Sequence, residues 1–253
     1  MRKKQTIASV LCAAAFLLVV VFGAGAFHRA AGAPEDNAET ATPTPTPYDR
    51  ISPKDSKKNS ATASDKRASA VKIPILRVDG VEEKAWTVCD RYETDNVVYG
   101  ERGAHGWFRS YSDAKYLYLF IHVDDDTPNN KGEIPTRCDC VEIFINEDGT
   151  KPSEFGTGDS HYIFMRNGNC ALRSGADVNL LTFTVVSTDD GYDLELSLEW
   201  ALEAGARADD IGFDLRINDS QKEGSRDYIE QWSDTSMMTH ENLSKIGTLT
   251  IRK

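Results

Sequence analysis

From residue 73 to the end of the chain, short apolar runs recur between turn signals. They cover 107–111, 116–123, 141–146, 162–165, 181–186, 192–198, 211–217 and 247–251. The run Tyr192-Asp193-Leu194-Glu195-Leu196-Ser197-Leu198 alternates polar with apolar, as a strand with one wet and one dry face requires. Asp190-Gly191 stands just before it as a tight-turn signal, which predicts a hairpin with 182–186. Glu147-Asp148-Gly149 ends the run at 141–146 in the same way. Only 199–206 has the make-up of a short helix. Many short strands between regular turns predict an all-β fold, an antiparallel β-sandwich over 73–253.

The pattern differs before residue 73. Arg2, Lys3 and Lys4 precede an uncharged apolar stretch over 7–27. A basic start followed by such a stretch reads as a signal anchor or a signal peptide over 1–27. Ala24-Gly25-Ala26 offers a small-x-small cleavage site. Basic residues stay on the cytoplasmic side, so under either reading the rest of the chain lies outside the cytoplasm, at the cell surface or secreted. Residues 28–72 contain Thr42-Pro43-Thr44-Pro45-Thr46-Pro47 and then a Ser, Lys, Ala and Asp-rich run. With few large apolar side chains to bury, this segment is expected to be a disordered linker, stiffened where Pro alternates.

Charge divides along the same line. Residues 1–73 carry 11 Lys/Arg and 6 Asp/Glu, net +5, whereas 74–253 carry 18 and 34, net -16. A body at -16 repels phosphate backbones and anionic lipid. Nucleic acid is therefore excluded as a partner, and membrane contact is confined to the N-terminal segment. Beyond Cys12, the cysteines are Cys89, Cys138, Cys140 and Cys170. Export favours oxidation, and pairing of 141–146 with 162–165 would bring Cys170 near Cys138 or Cys140, so a disulfide to one of these is expected.

Chemistry-bearing motifs are scarce. The chain has no Gly-x-Ser-x-Gly, no His-Glu-x-x-His, no phosphate loop and no dinucleotide fingerprint. Asp124-Asp125-Asp126 closes a strand, and Asp124 there could offer a hard oxygen to Ca²⁺.

Several short motifs fall in a telling order. Val78-Asp79-Gly80 and Ala85-Trp86 come first, then Ser112-Asp113 before Tyr116-Leu117-Tyr118 and Val123-Asp124. Asp139-Cys140-Val141-Glu142-Ile143-Phe144-Ile145, Glu199-Trp200 and Ile211-Gly212-Phe213-Asp214 with Ile217-Asn218-Asp219 follow. Trp232-Ser233-Asp234 and Ser244-Lys245-Ile246-Gly247 close the series. Over about 74–253 the chain resembles the family 9 carbohydrate-binding modules. The resemblance implies a non-catalytic β-sandwich that binds glycans, often with structural Ca²⁺.

Carried over residue by residue, the resemblance places two sugar-stacking Trp at what are here Thr136 and His240. The cleft Glu is kept as Glu142. A sugar-contacting Arg falls at Ile163, and a Gln becomes Arg216. Trp232 lies near the cleft in the resemblance, and an Arg216–Glu142 pair is expected. The implied ligand site is therefore Glu142, Arg216, Trp232, His240 and Thr136. Two functions follow: a tethered surface module binding a polysaccharide or oligosaccharide through an altered cleft, or a cell-surface structural or protein-interaction domain that has lost sugar binding. The acidic body favours neutral glycans, cationic wall components or Ca²⁺ over acidic polymers.

Overall fold

The computed structural model describes residues 20–22, 66–70 and 77–251, and all that follows concerns these. They form fourteen strands in two sheets, with 3₁₀ turns at Lys84–Val88, Pro135–Arg137 and Val178–Leu180. No helix among them is long and apolar enough to cross a membrane. The anchor expected over 1–27 otherwise lies outside the described residues, where only β1 (Val20–Phe22) is placed.

The smaller sheet holds β10 (Leu181–Ser187), β11 (Gly191–Glu199), β6 (Tyr116–Asp124), β5 (His105–Ser112) and β3 (Tyr92–Glu93), in that order. The hairpin expected at Asp190-Gly191 forms, with Ser187 opposite Tyr192. The larger sheet runs β1, β9 (Asn169–Leu172), β8 (Asp159–Met165), β7 (Cys140–Asn146), β12 (Asp210–Asp219), β13 (Tyr228–Gln231) and β4 (Asn96–Tyr99). β14 (Gly247–Ile251) pairs with the first half of β12, and β2 (Arg67–Ala70) runs parallel to β14.

Strand alternation explains the core. Val141, Ile143 and Ile145 on β7 point inward, as do Ile211, Phe213, Leu215 and Ile217 on β12. They meet Leu117, Leu119, Ile121 and Val123 from β6 and Leu194, Leu196 and Leu198 from β11. Burying one such side chain contributes roughly 1.5–3 kcal/mol, so this two-sheet contact dominates the stability. Trp232 packs at its end against Tyr92, Phe108 and Phe213, and a Cβ on Gly247 would collide with its ring. A second cluster, Trp86, Cys89, Trp107, Tyr111 and Phe120, covers the outer face of the smaller sheet. Glu195 anchors it: its carboxylate accepts the N–H groups of Asp79 and Gly80 at 2.9 and 2.8 Å and the Trp86 indole N–H at 3.2 Å. That contact gives Val78-Asp79-Gly80 and Ala85-Trp86 a structural role.

Three expectations change. In the stretch 199–206 expected to be a helix, Glu199 ends β11 and the rest forms bends and turns, because Glu147 accepts the N–H groups of Ala201 and Leu202 at 2.8 Å each and bends the segment across the sandwich end. Arg67–Ala70, inside the segment read as linker, is strand β2, with Ala68 and Ala70 buried against the core. The expected disulfide is absent: Cys89, Cys138, Cys140 and Cys170 are buried free thiols. Cys140 and Cys170 lie on β7 and β9 with β8 between them. That spacing is about 10 Å, beyond the ~7 Å limit a disulfide tolerates.

Candidate functional site

The outward positions of β7 and β12 carry the polar side chains that the inward alternation leaves over. Arg216 on β12 is directly opposite Glu142 on β7, so the pairing expected from sequence is a consequence of register. Both are almost fully buried. Glu142 Oε1 accepts from Asn218 Nδ2 at 2.9 Å, Arg226 Nη2 at 3.2 Å and Arg216 Nη1 at 3.4 Å. Its Oε2 accepts from His161 Nε2 at 2.8 Å. Burial works against the carboxylate charge, but Arg216, His161 and Arg226 outweigh it and hold Glu142 well below the usual range. Burial likewise pushes His161 down, which keeps its ring neutral and its Nε2–H a donor. That ring stacks on Phe144 at 4.2 Å.

Further hydrogen bonds fix Arg216. Its Nε donates to Gln231 Oε1 at 2.9 Å and its Nη2 to Thr239 Oγ at 3.0 Å. Gln231 Nε2 in turn donates to Asp214 at 2.9 Å and Thr239 at 2.8 Å. Asp214 also accepts the N–H groups of Ser233 and Asp234, so the Trp-Ser-Asp motif is the hinge that brings the 232–246 loop over this face.

The residues singled out from sequence divide. Glu142 and Arg216 meet, and His240 is on the loop that touches Arg216 through its neighbour Thr239. His240 is 47% exposed, with Nδ1 3.1 Å from the Met237 carbonyl. Thr136 sits half-buried on the 3₁₀ turn before β7. Trp232 does not join them: its ring is 1% exposed and belongs to the core, because its register on the β13 side turns it inward. Ile163 is fully buried in a small apolar cluster with Cys140, Met165 and Ala171. His161, Asn218 and Arg226 are the contacts that the sequence did not single out as ligands. The outward alternation of β8 and β12 held a signal for the first two. Arg226 comes from a loop and had none. Tyr99, 51% exposed, pairs with Ile229 on the same face, three strands from Glu142.

Asp124 is half-exposed on the other sheet, beside His122 and Asp190. One residue on, Asp125 joins Asp139 and Asp219 in a fully buried trio whose oxygens lie within 4.8 Å of one another. Arg166 Nη1 is 2.7 Å from Asp125 and 3.6 Å from Asp139. Burial, with repulsion from Asp125, pushes Asp139 up to about 7 and Asp219 up to about 6. Asp219 Oδ1 is buried with no hydrogen-bond partner among the described residues. Three hard carboxylates and an unsatisfied oxygen fit Ca²⁺.

A family model described as carbohydrate family 9 binding domain-like matches residues 78–253. Among curated proteins, the chain is 31% identical over 171 residues to endo-1,4-beta-xylanase A of Thermoanaerobacterium saccharolyticum. It is 28% identical over 172 residues to exoglucanase XynX of Acetivibrio thermocellus. Each match covers 68% of this chain but only 14% and 16% of those much longer proteins. Among solved structures, a family 9 carbohydrate-binding module from Caldicellulosiruptor kristjanssonii in complex with cellotriose superposes with a TM-score of 0.67 at 19% identity. That superposition covers 74% of this chain and 94% of the other. The same module in complex with glucose gives 0.68, covering 74% and 96%.

Proposed function

The chain belongs to the carbohydrate family 9 binding domain-like family, and from that premise we propose that its sandwich binds an oligosaccharide on the outer face of the larger sheet, around Glu142. The observation that carries this reading is that Arg216, Asn218 and His161 converge on buried Glu142 and so hold Arg226, 28% exposed, at the surface of this face. The fold is shared with modules solved with cellotriose and glucose. Binding proceeds without reaction: Glu142 stays ionised with its lone pairs taken, so it has neither a proton to give nor a free site to accept one. The cleft is altered, with Thr136 and His240 where stacking Trp stand in the resemblance. A Ca²⁺ ion held by Asp125, Asp139 and Asp219 would brace the sandwich end. The basic, apolar N-terminus and the linker tether the body to a membrane on its outer side.

Isothermal titration of the full chain with a panel of soluble oligosaccharides, neutral and acidic, tests the reading. Binding that weakens at least tenfold in Asn218→Ala supports it. Absence of heat with every sugar would transfer the protein to the second reading, a surface interaction domain without sugar binding, which the missing Trp pair favours. Protease accessibility on intact cells, with retention in the alkaline-washed membrane fraction, tests the tether.

A further inference from the structure

The donor and charge balance at Glu142 specifies more than a generic sugar. Two guanidiniums, Arg216 and Arg226, face one carboxylate, and His161 is neutral. Glu142 already accepts four hydrogen bonds, about the number its lone pairs hold, so it cannot serve a ligand hydroxyl as well. Asp214 and Asp234 lie on the far side of Arg216, and their oxygens are taken by the N–H and hydroxyl groups of the 232–239 loop and by Gln231. Glu142 is the carboxylate that most favours the charge on Arg226, against burial, which opposes it.

Arg226 is therefore the group this face offers outward. Its side chain is 28% exposed; Nε donates to Asn218 Oδ1 at 2.6 Å and Nη2 to Glu142. Nη1 has no partner among the described residues. A half-buried guanidinium with a free edge and one positive charge in excess is a carboxylate receptor, because its fork matches two carboxylate oxygens. The positions where the resemblance sets stacking Trp, meanwhile, hold Thr136 and His240. Resting on the reading that this face is the glycan site, we propose that the preferred ligand is an acidic sugar whose uronate carboxylate docks on Arg226. The body's net charge of -16 opposes long polyanions, but its field is screened within about 10 Å in physiological salt, whereas the Arg226 contact is direct. Short acidic oligosaccharides fit this balance.

Calorimetry of the full chain with digalacturonate and with cellobiose tests the proposal. Digalacturonate is expected to bind at least tenfold tighter, and Arg226→Gln to abolish that preference with the thermal midpoint little changed. Arg226→Lys, which keeps the charge but not the fork, is expected to retain part of it and guards against a folding effect in the Gln variant. Cellobiose binding equally well or better, with a ratio unmoved by Arg226→Gln, would overturn the acidic preference and leave the glycan face standing. No heat from either sugar would overturn both. Sodium acetate that displaces digalacturonate at equal concentration would mark a bare carboxylate site and overturn the sugar assignment.

Discussion

Glu142 and Trp232 are both almost fully buried, yet they do opposite work. Removing Glu142 leaves two guanidiniums without their counter-charge, so Glu142→Ala is expected to cost about 3–5 kcal/mol in urea unfolding. Trp232 carries only packing: Trp232→Phe should lower stability yet leave glycan affinity in the folded protein within twofold, since its ring faces Phe108 and Phe213. A tenfold loss of affinity in Trp232→Phe would return it to the site. His105 shows how a residue couples stability to pH. Glu230 and Glu93 hydrogen-bond its ring and raise it to about 10, from about 6.5 when unfolded. Its contribution is full below pH 6.5 and is lost as pH rises toward 10, so His105→Gln should flatten the alkaline limb of a melting-temperature profile.

At the level of elements, strands that form apolar or alternating runs were legible, and short or small-residue strands were missed. β11 and β12 announce their dry faces residue by residue, and the Arg216–Glu142 pairing follows once their register is set. β13 is only four residues long and reads two apolar then two polar residues, so Tyr228–Gln231 carries no two-residue period. β2 escaped because its inward residues are Ala68 and Ala70, too small to stand out in a Ser- and Lys-rich stretch. Its place in the sheet makes a clear prediction. A chain starting at residue 73 should melt several degrees below one starting at 66, because the edge of β14 loses its parallel partner and Ala68 and Ala70 leave the core. Equal midpoints would show that β2 adds nothing. Disulfide logic failed for a similar reason: sequence spacing brings Cys170 back toward Cys140, but an intervening strand separates them. Burial pushes the Cys89 and Cys170 thiols up to about 12. Thiol titration should accordingly find these four groups unreactive until denaturant is added, with or without prior reduction.

Across the whole molecule, the acidic surplus is partly absorbed by burial. Asp214 and Glu195 are each pushed up to about 7, against about 3.9 and 4.3 in an unfolded chain. The folded protein therefore binds more protons than the unfolded one between about pH 4 and 7, and its stability falls as pH rises through that window. Glu142, held low, acts in reverse and loses its contribution only at stronger acidity. Maximal stability should then fall in mildly acidic solution, which a melting series from pH 4 to 9 would check. The Asp125, Asp139 and Asp219 trio offers a second way to neutralise buried acid. At pH 7.5 a Ca²⁺ concentration a hundred times its dissociation constant should stabilise the fold by about 2.7 kcal/mol. Mg²⁺ should do less, because three close carboxylates suit the larger, less strictly octahedral ion. Asp139→Asn should remove the Ca²⁺ response, and a response that survives this change would place the ion elsewhere, with the carboxylates of Asp124 and Asp190 beside His122 as the next candidates among the described residues.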